Sequence, residues 1–203
     1  MKELKSYINT FQKENKKLKR ISQQASERND VEPNIGVDVA QLMGLLLRLT
    51  DAKYVLELGT CLGYSTVAFG QILQETGGKL ISVEYNKDLY QQTKENVSKA
   101  GLDNTVDVIL GDASKVINQL EGPFDIVFQD SDKTLYPEML ERTIEITRQN
   151  GLIIADDALF KAMGIIDRLS EPVHRYNEMV FSDDRLYSII LPIGDGLNIS
   201  LKL

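Results

Sequence analysis

Five short apolar runs, Tyr54 to Leu58, Leu80 to Val83, Val106 to Leu110, Phe124 to Phe128 and Leu152 to Ala155, alternate with longer amphipathic segments. A strand buried on both faces reads as a continuous apolar run, and parallel neighbours need a crossover between them. The rhythm therefore predicts repeated βα units around a parallel sheet covered by helices on both faces. The clearest crossover helix begins at Asn86, a good N-cap, runs through Leu89, Thr93, Val97 and Ala100, and stops at Gly101. Two final runs, Arg185 to Leu191 and Leu197 to Leu203, are joined by Pro192, Ile193, Gly194, Asp195 and Gly196. That link is too short for a helix, so the runs should form an antiparallel pair. The expectation is an α/β fold with a seven-stranded, mostly parallel sheet and an antiparallel C-terminal strand.

Helices should precede the first strand. Leu4, Ile8, Phe11, Leu18 and Ile21 recur at helical spacing, as do Val39, Leu42, Met43, Leu46 and Leu49 after a polar stretch broken by Pro33. With 203 residues and no linker or repeat, the chain reads as one domain, residues 1–50 helical and 51–203 the sheet core. No run approaches the roughly 20 apolar residues of a membrane span and no secretory signal is visible, so a soluble, cytoplasmic protein is expected. A lone cysteine, Cys61, and a lone histidine, His174, make neither a disulfide nor a zinc pattern. They read as a small loop residue and a surface residue of a late helix, and Tyr64 as a packing residue. The net charge of -7 argues against a broad duplex-binding face. Locally Lys13, Lys16, Lys17, Lys19 and Arg20 cluster; they read as a solvated helix face, with an RNA or anionic-substrate contact as the alternative.

The first strand leads into Glu57, Leu58, Gly59, Thr60, Cys61, Leu62, Gly63, Tyr64, Ser65 and Thr66, a glycine-bearing turn before a helix. Gly59 and Gly63 would let backbone approach a ligand at the carboxyl edge of the sheet, where open α/β folds bind ligands. A dinucleotide site wants G-x-G-x-x-G, and here threonine and cysteine stand where the pyrophosphate would need room; no Gly-Lys-Ser/Thr follows for a Walker loop. Glu84 ends the second strand about 20 residues on, where Rossmann-like folds place an acid for ribose hydroxyls. Asp112 follows the third strand in Gly111-Asp112-Ala113. Each has a plainer alternative: Glu84 a helix-start acid, Asp112 an N-cap, Gly63 a turn residue.

Val55 to Thr66, Ile81-Ser82-Val83-Glu84 and Gly111-Asp112-Ala113 together resemble the successive motifs of Rossmann-like class I S-adenosylmethionine methyltransferases. The resemblance implies that the loop of Gly59 and Gly63 lies against the methionine part of the cofactor. It also implies that Glu84 holds the ribose and that Asp112 and Ala113 sit beside adenine, with Glu57, Ser65 and Asp130 supporting or bordering the site.

The fourth strand runs into Asp130-Ser131-Asp132-Lys133 and the fifth into Asp156-Asp157. Neighbouring parallel strand ends share one edge, so these acids can converge, and a hard divalent cation with oxygen ligands, Mg²⁺ best of all, would relieve their repulsion. The pattern is similar to the metal-dependent O-methyltransferases that include catechol and caffeoyl-coenzyme A O-methyltransferases and their small bacterial relatives, over about Glu32 to Asn198. It implies Asp130, Asp156 and Asp157 as metal ligands and Lys133 as general base, its pKa lowered by the cation. Asp157 stands where that family usually carries asparagine. Asn198 falls near where the animal catechol enzymes carry a substrate-touching glutamate.

The expected reaction is transfer of a methyl group from S-adenosylmethionine to one hydroxyl of a vicinal diol on a small molecule, leaving S-adenosylhomocysteine. An acyl-coenzyme A conjugate or a hydroxylated tRNA base are alternative acceptors. A nicotinamide-dependent dehydrogenase and a non-catalytic cofactor- or RNA-binding module are the rival classes. The resemblance further implies a homodimer.

Overall fold

The computed structural model describes residues 7, 8, 10–12 and 14–203; the expected positions Leu4 and Lys13 lie outside them. Helices α1 (Lys16–Ser26) and α2 (Gly36–Leu49) precede the first strand. The helix expected across Ile8 and Phe11 does not run on into α1: Thr10 and Phe11 form a turn, and Asn15 starts α1 by accepting from the N–H groups of Lys17 and Leu18. A side-chain cap of this kind is worth about 1 kcal/mol, enough to set a helix start locally. On α1 Leu18 and Ile21 are buried, Lys16, Lys19 and Arg20 face solvent, and Lys17 Nζ donates to the Ala100 carbonyl. In α2 the buried stripe is Val39, Met43 and Leu47. Leu49, expected inside, is exposed, because the i+4 row rather than the i+3 row packs inward, against the helix Tyr64–Thr76.

The core alternates as expected: β1 (Tyr54–Leu58), α3 (Tyr64–Thr76), β2 (Lys79–Glu84), α4 (Lys87–Lys99), β3 (Val106–Leu110), the short α5 (Ala113–Val116), β4 (Phe124–Gln129), α6 (Tyr136–Ile146), β5 (Thr147–Ala155), α7 (Asp167–Ser182), β6 (Leu186–Leu191) and β7 (Leu197–Lys202). Asn86 caps α4 as the sequence predicts, and His174 is exposed on α7. β5 starts five residues earlier than expected, at Thr147 rather than Leu152. Its Thr147-Arg148-Gln149-Asn150-Gly151 opening carries no apolar run, yet Thr147 pairs with Phe124 before an irregularity in the register.

One seven-stranded sheet results, in the order β3-β2-β1-β4-β5-β7-β6. β1 to β5 are parallel, and β7 runs antiparallel to both β5 and β6. Alternate residues of each strand feed opposite faces. Val55, Ile126, Phe128 and Ile154 pack under α1 to α4, whereas Leu56, Leu58 and Val127 pack under α5 and α6, and Ile153 and Ala155 under α6 and α7. Each fully buried valine or leucine contributes about 1.5–3 kcal/mol, which is why these strands are apolar throughout. No helix among the described residues is long and apolar enough to cross a membrane. The order reverses between β1 and β4, opening a crevice at the carboxyl ends of those strands.

Candidate active site

Four residues just past the strand ends continue the sheet's hydrogen bonding. Gly59 N donates to the Val83 carbonyl, Gly111 N to Glu84, Asp130 N to Leu58 and Asp156 N to Gln129. The loops thus leave the sheet in register, and their side chains gather along one edge.

Gly59, Cys61 and Gly63 are all left-handed, with φ of 95°, 50° and 82°. The protein's own packing requires a glycine at both positions. A Cβ at Gly59 would lie 2.3 Å from the Asp130 carbonyl oxygen, and one at Gly63 would lie 2.9 Å from Thr93 Cγ2. The loop's strain is offset by Glu84, a buried acid whose Oε2 accepts from Thr60 N at 3.1 Å, Thr60 Oγ1 at 3.0 Å and Cys61 N at 2.9 Å. Its Oε1 accepts from Asn86 N at 2.8 Å. Tyr64 is buried at the start of α3, as expected of a packing residue.

Glu57 is fully buried one strand away. Its Oε2 accepts from Thr66 Oγ1 at 2.6 Å and Ser82 Oγ at 2.7 Å, and Oε1 has no partner. Burial pushes its carboxyl up to about 7, against hydrogen bonds from Ser65, Ser82 and Thr66. Such an orphaned acceptor beside a glycine loop suits a cationic ligand group. Asp112 takes the plainer role: its Oδ1 accepts from Ser114 N and Ser114 Oγ and caps α5, which holds its pKa below the ordinary range. Ala113 is buried behind it.

At the ends of β4 and β5 the acids gather round Lys133. Its Nζ lies 2.8 Å from Asp130 Oδ1, 2.8 Å from Asp157 Oδ2 and 3.1 Å from the Tyr136 hydroxyl, which itself donates to the Gln129 carbonyl at 2.8 Å. Burial disfavours the ammonium, but Asp130, Tyr136 and Asp157 outweigh it and raise the lysine's pKa well above the ordinary value. The lowered pKa expected of a general base is therefore not a property of these residues alone. Asp156 is buried and has no cation of its own; desolvation, then the charges of Asp130 and Asp157, lift its pKa well above the carboxylate range. Asp157 has φ of 66°, a backbone that asparagine and aspartate tolerate best, which accounts for either residue at this place.

Among the described residues no group of three acidic, histidine or cysteine side chains forms a ready-made metal cage. The donor chemistry nonetheless suits a hard cation: Asp130 and Asp157 share one ammonium, and Asp156 adds a third carboxylate beside them. Asn198 is turned inward, fully buried, with Nδ2 on Asn177 Oδ1 and Oδ1 on Ser200 Oγ, so it is a link in an internal polar chain. Tyr136, Thr60 and Thr93 escape the sequence reading. Only the Lys-x-x-Tyr spacing, which puts both groups on one side of the turn into α6, signals the first.

Comparison with known proteins places the chain in a family. A family model described as O-methyltransferase matches residues 8–203, more than the span expected from Glu32 to Asn198. The catechol O-methyltransferase of Niastella koreensis is 32% identical over 169 residues, covering 79% of this chain and 74% of its own. Caffeoyl-CoA O-methyltransferase 1 of Eucalyptus globulus is 29% identical over 182 residues, covering 82% and 73%. The crystal structure of the O-methyltransferase TomG of Streptomyces achromogenes, in complex with SAM, has a TM-score of 0.84 at 23% identity, covering 98% of this chain and 96% of that one, a likeness of fold.

Proposed function

Since the chain belongs to the O-methyltransferase family and is an S-adenosylmethionine-dependent enzyme, we propose that it methylates one of two adjacent hydroxyls on a small-molecule acceptor with a divalent cation, Mg²⁺ or similar, at Asp130, Asp156 and Asp157. The observation that carries this reading is the convergence of those three acids and Lys133 on the sheet edge that also holds Glu84 and the glycine loop. The cofactor would lie with its ribose on Glu84, its amino group toward the free Glu57 Oε1 beside Ser65, and its adenine near Asp112 and Ala113.

When bound, the cation would offset the acids' charge and favour the ionised acceptor. Asp130 and Asp157 hold the Lys133 ammonium within reach of that acceptor, and Tyr136 fixes its position from below. With the carboxylate charge offset, Lys133 would release its own proton to solvent and could then take the hydroxyl proton; the oxyanion would attack the sulfonium methyl, and S-adenosylhomocysteine would leave as a neutral thioether. Holding both reactants in line supplies the remaining acceleration.

Two copies of the chain are proposed to pair, because α2 leaves Leu45 and Leu49 exposed and the edge strand β6 leaves Tyr187 and Ile189 exposed. The deciding experiment is a methyl-transfer screen over a catechol, an acyl-coenzyme A conjugate and a hydroxyuridine tRNA, each with and without Mg²⁺. Metal-dependent methylation of the catechol is the expected result. Transfer confined to the tRNA would overturn the acceptor class, and transfer unaffected by chelator would overturn the metal.

A further inference from the structure

Behind the glycine loop α4 presents Thr93, which is fully buried. Its Oγ1 donates to the Cys61 carbonyl at 2.9 Å and lies 3.1 Å from Thr60 Oγ1, which in turn donates to Glu84 Oε2 at 3.0 Å. Two hydroxyls bring two protons to three contacts, so one contact is always without a proton. With Thr60 on Glu84 and Thr93 on Cys61, the bare contact is the one between the two hydroxyl oxygens. Glu84 Oε2 meanwhile takes three donors, the N–H groups of Thr60 and Cys61 and the Thr60 hydroxyl. A carboxylate oxygen offers about two lone-pair sites, so a further hydroxyl arriving at Oε2 finds it saturated unless Thr60 turns away. Thr93 Oγ1 is the acceptor toward which Thr60 can turn. Thr93 keeps its bond to Cys61 throughout, and no buried polar group loses its partner.

We propose that Thr93 is a positioning residue for cofactor binding: it receives the Thr60 hydroxyl when a ribose hydroxyl of the cofactor takes that hydroxyl's place on Glu84. The inference rests on the reading of Glu84 as the ribose-binding acid. Valine at position 93 keeps the branched shape beneath Gly63 and puts a methyl group in place of the hydroxyl. Calorimetry with S-adenosylhomocysteine should show T93V binding about three- to ten-fold more weakly, the scale of one neutral hydrogen bond, and T93S restoring affinity. In a T60V background no hydroxyl has to move, so T93V should then leave affinity unchanged. A purely structural Thr93 would cost the same in both backgrounds, and that additivity, or a T93V variant binding like the parent, overturns the proposal. T93A carries the same comparison if T93V does not fold. An E84A variant with parental affinity would overturn the ribose reading and this inference with it. Weakened E84A beside unchanged T93V would remove the relay alone.

Discussion

Replacing Gly59 with alanine tests the claim that the glycine loop is built against the backbone of Asp130. Two costs separate cleanly here. A left-handed alanine costs about 1–2 kcal/mol by conformation alone. At Gly59, with φ of 95°, the new Cβ would also stand 2.3 Å from the Asp130 carbonyl oxygen and 2.6 Å from its carbon, and these are main-chain atoms that cannot swing aside. Overpacking of that kind adds about 1–3 kcal/mol, for a total of about 2–5 kcal/mol. Gly77 supplies the control, because its φ is 78° and a Cβ there meets nothing within 4 Å. For a chain of this size 1 kcal/mol moves the melting temperature by about 2–4 °C, so roughly 4–20 °C is expected for Gly59→Ala and about 2–8 °C for Gly77→Ala. Relief requires Asp130 to move until the contact exceeds 3.0 Å. A shift of about 1 Å in a reacting constellation costs on the order of 100-fold in rate, so turnover should fall in the first variant and hold in the second. Calorimetric melting and steady-state kinetics on both variants make the measurement. Equal melting temperatures for the pair, or a Gly59→Ala enzyme with unaltered kcat, would refute the reasoning.

Four further outcomes are expected. Glu84→Ala should weaken S-adenosylhomocysteine binding by about 1.5–3 kcal/mol in a titration in which NAD gives no signal; tight NAD binding would overturn the cofactor assignment. Burial raises Glu57 from the ordinary 4.5 to about 7, so it stabilises the fold fully below the unfolded value and loses that contribution as pH climbs through about 7. Glu57→Gln should therefore flatten the fall in stability across that window, and S-adenosylhomocysteine affinity in the parent should rise with pH as the acid ionises; a parent with pH-independent stability there would contradict the burial argument. Lys133→Ala should lower turnover far more than cofactor affinity, chelator should abolish activity with Mg²⁺ or Mn²⁺ restoring it, and a monophenol should fail as acceptor; monophenol methylation in excess chelator would rule out the metal-bridged step. Light scattering at micromolar concentration should report a dimer, and a monomer would count against the pairing of α2 and β6 surfaces.

The order of strands and helices was legible in the chain because periodicity is a local property. An apolar run such as Phe124 to Phe128 needs both faces covered, and Asn86 and Gly101 bound α4 through backbone preferences that act within a few residues. The placing of Glu84, Asp130 and Asp156 at one edge was legible as well, since parallel strand ends share that edge whatever their order. The opening of β5 was not legible, because Thr147 to Asn150 is polar and its place in the sheet rests on the pairing of Thr147 with Phe124. What depended on which strands become neighbours was not legible. Gly59 is glycine because β1 lies beside β4 and brings Asp130 against it, a contact between distant parts of the chain that no local pattern encodes. Thr93 reads as one more inward position of α4 until α4 is laid behind the loop, where its hydroxyl meets Thr60 and Cys61. Asn198 looked like a site residue by its place in the chain, and the antiparallel register of β7 turned it toward Asn177 and Ser200. The charge state of Lys133 belongs to the same class: residue type fixes an ordinary pKa, but only the packed fold decides how much burial opposes the ammonium and how closely Asp130 and Asp157 stand to favour it.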